Sequence, residues 1–161
     1  MDAVYAENGG HSPDDNGQWS DGRYALFFLP GNHAVDVNVG YYTSVYGLGK
    51  LPTDTQLKSL TSENGSYNPD IGALNNFWRS AENFEVSSSL TFNSRVTTLW
   101  SVSQASPLRR AVINGNLDLS EYTSGSHAGW ASGGFMADVT INGDLYWGTQ
   151  QQFIARNTEM N

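Results

Sequence analysis

Few residues in this chain of 161 have chemistry to offer, because only 15% are charged and cysteine is absent. Splitting a glycosidic bond takes two carboxyl groups about 5–9.5 Å apart across the sugar. Glu82, Glu85 and Asp138 are acids in strand-like surroundings, and Glu82 and Asp138 with Arg109 and Arg110 form the candidate catalytic set. A polysaccharide lyase would instead need a base beside an acid-held Ca²⁺. Arg109 or Arg110 near Asp138 meets that only loosely, since the guanidinium gives up its proton so reluctantly. Sugars also present C–H faces that stack on aromatic rings and hydroxyls that bond to amides. Tyr146 and Trp147, followed by Gln150 and Gln152 in a run of three glutamines, are therefore the candidate ligand-binding set. Trp78, Trp100 and Trp130 recur in step with the repeat described below and read as core.

Other chemistries find less footing. His11, His33 and His127 are far apart, with no short metal-ligand spacing. Asp14, Asp15, Asn16 and Asp21 invite a calcium reading but depart from the EF-hand pattern, so a solvated loop is the expectation. Neither a nucleophile elbow nor a phosphate-binding glycine loop occurs. Sixteen acidic residues against eight basic ones, a formal charge of -8, argue against nucleic acid. No apolar run suits a membrane span, and the first 22 residues lack the basic and apolar regions of a secretory leader.

The elements that must position these groups are legible in a repeat. "INGNL" at 113–117 returns as "INGDL" at 141–145. Stepping by similar intervals gives the anchors Leu29, Leu57, Val86, Ile113, Ile141 and Met160, the last interval being shorter. Two places before them stand Phe27, Thr55, Phe84, Ala111, Val139 and Thr158, mostly with a polar residue between. That alternation is a strand with one buried face, and turn residues such as Pro30-Gly31, Asn114-Gly115 and Asn142-Gly143 follow it. One strand and turn cannot bury an apolar face alone, but stacked copies can. The pattern predicts a parallel β-solenoid of about six coils, with the anchors in one inward column, in preference to a sandwich. An arm or loop over 1–22 precedes coils over 23–161. Stacking sets Glu82 opposite Arg109 and Arg110 opposite Asp138, either as solvated ladder pairs or as the lining of a groove for a hydroxyl-rich or anionic ligand. The last strand, 153–160, is expected to present an unpaired edge, so a homo-oligomer or fibre through the coil ends is the alternative to a glycan-interacting role.

The segments "NNFWRSAENFEV" (75–86), "WSVSQASPLRRAVINGNLDL" (100–119), "WASGGFMADVTINGDL" (130–145) and "TQQQFIARNTE" (149–159) resemble consecutive motifs of a family of right-handed parallel β-helix proteins. These are secreted proteins of actinobacteria and fungi in the pectate-lyase-like superfamily. "RYALFFLPGNHAVDVNVGYYTSVYGLGKLPTD" (23–54) resembles the family's N-terminal segment. The resemblance implies an all-β, right-handed β-helix, an extracellular location and polysaccharide as partner. It also implies further coils beyond Asn161. It carries no catalytic assignment onto individual positions, so enzyme and binding module both stay open. No cofactor is expected beyond the weakly supported Ca²⁺.

Overall fold

The computed structural model describes residues 1–9, 17–63, 76–123, 127–129, 131–147 and 152–160. The alternating segments become strands that pair in parallel with the copy one coil away, forming a β-helix with three faces. Six passes make the first face: Tyr24–Phe28, Thr43–Gly47, the start of Ser80–Val86, the start of Pro107–Ile113, the start of Phe135–Ile141, and Ile154–Arg156. The second face takes the ends of the three long strands, preceded by Gly31–His33 and Thr55–Leu57 and followed by Glu159–Met160. The third face stacks Val37, Leu60, Thr98, Leu117 and Leu145.

The core is the inward residue of each pass. Leu26, Val45, Ala81, Leu108 and Met136 form the first-face column, and Phe84, Ala111 and Val139 begin the second. From Leu57 onward the second-face anchors stack as expected, in the order Leu57, Val86, Ile113, Ile141 and Met160. Leu57 to Ile141 are buried, while Met160 on the last pass is half exposed.

The first coil departs from the expectation. His33, not Leu29, precedes Leu57 in the column, and Leu29 is 67% exposed. "YALFF" is apolar at both parities, so alternation alone could not tell its inner side. Leu26 and Phe28 face the core, leaving Phe27 outside. The Pro30-Gly31 bend therefore precedes the second-face strand here, whereas in later coils Asn-Gly bends follow it.

Those later bends explain the doubled phrase. Asn142 Nδ2 donates to Asn114 Oδ1 at 2.8 Å, and Asn114 Nδ2 donates to Glu85, so the corner amides run on as a ladder along the stack. Gly115 takes a φ of 125°, and a Cβ on Gly143 would lie 2.6 Å from the Gly115 carbonyl carbon. Only glycine allows consecutive corners to pack this closely.

The N-terminal segment is more than a loop. A helix, Asp2–Asn8, lies against the first coil, where buried Asn8 Nδ2 donates to the carbonyl of Tyr41 at 2.7 Å. It covers backbone that would otherwise end the stack unpaired.

Candidate functional site

Two columns of left-handed residues bound the first face. At the corner where it turns into the second face stand Asn83, Arg110, Asp138 and Asn157, with φ of 64°, 47°, 56° and 49°. Each lies three residues before its anchor and is skipped by the ladder pairing. Asn and Asp tolerate this conformation because their short side chains bond locally. Asn83 shows how: its amide donates to the carbonyls of Gly47 at 2.8 Å and Gly49 at 2.7 Å, fastening the 48–54 loop over the corner.

A groove of about 380 Å³ opens beside this corner, lined by Phe27, Tyr46, Lys50, Glu82, Asn83 and Arg110 among others. The outward first-face column runs Phe27, Tyr46, Glu82, Arg109, Ala137 and Arg156. The rings of Phe27 and Tyr46 stack at 5.5 Å. Glu82 and Arg109 meet across one rung at 3.7 Å, both partly exposed, so the pair adds little to stability. The sequence expectation for these two holds.

Arg110 and Asp138 also stand one rung apart, as expected, but they do not pair. Among the described residues no ion pair joins them. Arg110 turns toward the N-terminal side, donating to Asn83 Oδ1 and to the Lys50 carbonyl, each at 3.3 Å. Asp138 instead accepts from Asn157 Nδ2 at 3.0 Å. The fastened loop supplies Arg110 with acceptors that its sequence neighbours do not reveal. Glu82 and Asp138 are also two rungs apart, roughly 10 Å along the stack at about 4.8 Å per rung, with the arginines between. Replacing Asp138 with asparagine keeps an acceptor for Asn157 and a residue suited to positive φ. Chemical denaturation is expected to show a change below about 1 kcal/mol; a loss above about 2 kcal/mol would mean the carboxylate is needed for the corner.

The candidate ligand-binding set lies elsewhere. Tyr146 sits on the third face, where the Arg95 guanidinium lies 3.7 Å over its ring and its hydroxyl donates to Asp144 at 3.1 Å. That hydrogen bond, with some burial, pushes its pKa above the ordinary phenol value. Arg95 also donates to buried Asp118 at 2.8 Å. Trp147 is exposed just beyond, and Gln152 is exposed at the corner leading back to the first face. Gln150 lies outside the described residues, as do Trp130, Asp14, Asp15 and Asn16. Trp100 is buried as expected, but Trp78 is 49% exposed, which corrects its reading as core.

Lys50 and Asn83 escaped the sequence reading, and Phe27, expected on the buried face two places before its anchor, is instead 62% exposed. For Phe27 the available signal was the doubly apolar "YALFF", which leaves an aromatic outside whichever side is buried. For Asn83 it was the Asn/Asp-rich position three before each anchor. Among the described residues no three acidic or histidine side chains gather as a metal site. No helix of the described residues is long and apolar enough to cross a membrane.

Comparison with known proteins agrees with this architecture. Residues 24–161 match the family described as rhamnogalacturonase A/epimerase, pectate lyase-like. The chain is 38% identical over 148 residues to an exo-beta-1,3-glucanase of Streptomyces sp. (strain SirexAA-E / ActE), covering 91% of this chain and 23% of that protein. The solved structure of sacteLam55A from Streptomyces sp. SirexAA-E matches at 35% identity with a TM-score of 0.75, covering 98% of this chain and 27% of that one. A variant of sacteLam55A in complex with glucose matches at 35% identity with a TM-score of 0.74, covering 99% and 26%. The chain thus spans about a quarter of the length of these relatives. Nothing in these relatives' descriptions supports end-to-end assembly into fibres. A parallel β-helix matched from its first strand onward places this chain in the rhamnogalacturonase A/epimerase, pectate lyase-like family.

Proposed function

We propose that these coils are the carbohydrate-contacting part of a secreted glycoside hydrolase acting on a neutral β-1,3-glucan. The observation that carries this reading is the groove at the first corner, where stacked Phe27 and Tyr46 adjoin Glu82, Asn83, Lys50 and Arg110. Rings to take sugar faces and charged or amide groups to take hydroxyls are what a hexose needs. The name of the glucanase relative supports the substrate class. Glu82 is the carboxyl group best placed to act on a bound sugar, with the Arg109 guanidinium 3.7 Å away across the rung. Asp138 is too far along the stack to be its partner, so a second carboxyl group would come from elsewhere in the protein.

Titration calorimetry with a β-1,3-linked glucose hexamer tests this. Arg110→Asn should leave stability unchanged or raise it by up to about 1 kcal/mol, since asparagine accepts positive φ more readily. The same variant, and Tyr46→Ala, should weaken hexamer binding severalfold. Binding that ignores both variants would remove the groove from the account.

A further inference from the structure

The second left-handed column stands at the opposite edge of the first face, where the chain enters it. Tyr42, Trp78, Ala105, Gly133 and Gln152 have φ of 53°, 57°, 56°, 75° and 77°. Each lies two residues before its level of the register Ser44, Ser80, Pro107, Phe135 and Ile154. Glycine takes this conformation freely, but a bulky aromatic pays for it, by about 1–2 kcal/mol. A strained aromatic that is also half exposed gains little from burial, so its placement points to a task.

The surroundings hold that ring in place. Tyr42 and Trp78 stack at 5.3 Å, and the Arg23 guanidinium lies 3.5 Å over Tyr42 from its own side. The Tyr42 hydroxyl donates to the Gln18 carbonyl at 2.6 Å, and the Tyr42 amide donates to the Trp78 carbonyl at 2.7 Å. Next to Trp78, buried Arg79 donates to the Val39 carbonyl at 2.7 Å, with burial pushing its pKa down to about 10. Tyr42 stacks on one side of Trp78 and Phe77 meets its ring in a T-shaped contact at 4.5 Å, yet about half of the Trp78 side chain stays exposed. The next two rungs of this column carry only Ala105 and Gly133. The Gln104 side chain lies over Gly133, where a Cβ would meet its Cγ at 2.8 Å, and exposed Gln152 follows one rung on.

We infer that this corner is an oligosaccharide track separate from the groove, with Trp78 as its stacking platform, Ala105 and the Gln104 side chain over Gly133 as its floor, and the Gln104 and Gln152 amides as its hydroxyl contacts. From Trp78 to Gln152 is three rungs, about 14 Å, a length for a short neutral oligosaccharide rather than one sugar. An uncharged floor with amides favours hydroxyls over carboxylates. The track rests on the proposed glucan-binding role and adds a specificity-determining contact to it.

The test is titration of the same β-1,3-linked glucose hexamer, read by calorimetry and tryptophan fluorescence, into wild type, Trp78→Ala, Trp78→Phe and Gln152→Ala. Trp78→Ala should weaken binding about tenfold, the scale of one lost stacking contact, and Trp78→Phe should restore most of it. Gln152→Ala should weaken it by less. Thermal melts of the phenylalanine variant within a few degrees of wild type would exclude a folding defect as the cause. Wild-type affinity in Trp78→Ala, with Tyr46→Ala impaired, would overturn the track and leave the groove standing. No hexamer binding by wild type would overturn the glucan reading itself, and the track with it.

Discussion

Phe84→Ala is expected to lower the unfolding free energy by about 3–5 kcal/mol, at the top of the range for truncating a buried side chain. Phe84 is fully buried in the second-face column, with buried Thr55 on the rung before it and Ala111 and Val139 on the rungs that follow. Its small neighbour Ala111 cannot swing to fill the void, so most of the cavity should persist. Urea denaturation measures the cost, and an unchanged m-value would assign it to the native state. A loss below about 1 kcal/mol would mean that the column is not packed as described.

Asp118→Ala should cost about 3 kcal/mol for a different reason. Its carboxylate is buried and accepts from Arg95 at 2.8 Å and from Asn93 Nδ2 at 3.1 Å. Removing one member of a buried pair leaves the other without compensation, although Arg95 is a third exposed and regains some hydration. Asn93 also fixes this loop by donating to the Ser120 carbonyl at 2.8 Å. The variant should therefore loosen the 91–96 hairpin before the coils unfold, visible as faster amide exchange confined to that hairpin. Exchange unchanged there, with stability intact, would show that Asp118 is dispensable.

The repeating core was readable in advance because an inward column recurs at a nearly fixed interval and each rung needs an apolar residue. Val86, Ile113 and Ile141 declare themselves in that way. Leu29 misled because the first coil places its bend before the second-face strand and because "YALFF" is apolar on both sides. The Glu82–Arg109 neighbourhood followed directly from stacking. The partners of Arg110 did not, because they come from a loop whose position depends on Asn83. The second left-handed column was hidden for a simpler reason: Tyr42 and Trp78 do not look like residues of positive φ. Only after the register is known do they align with Ala105 and Gly133.

The central claim is that an acidic β-helix of this family reads a neutral glucan. The most direct measurement is parallel titration, at low ionic strength, of a β-1,3-linked glucose hexamer and an oligogalacturonate of equal length into the same protein. The account predicts binding of the neutral hexamer alone, nearly unaffected by added salt. Tighter binding of the oligogalacturonate, weakening as salt rises, would contradict it.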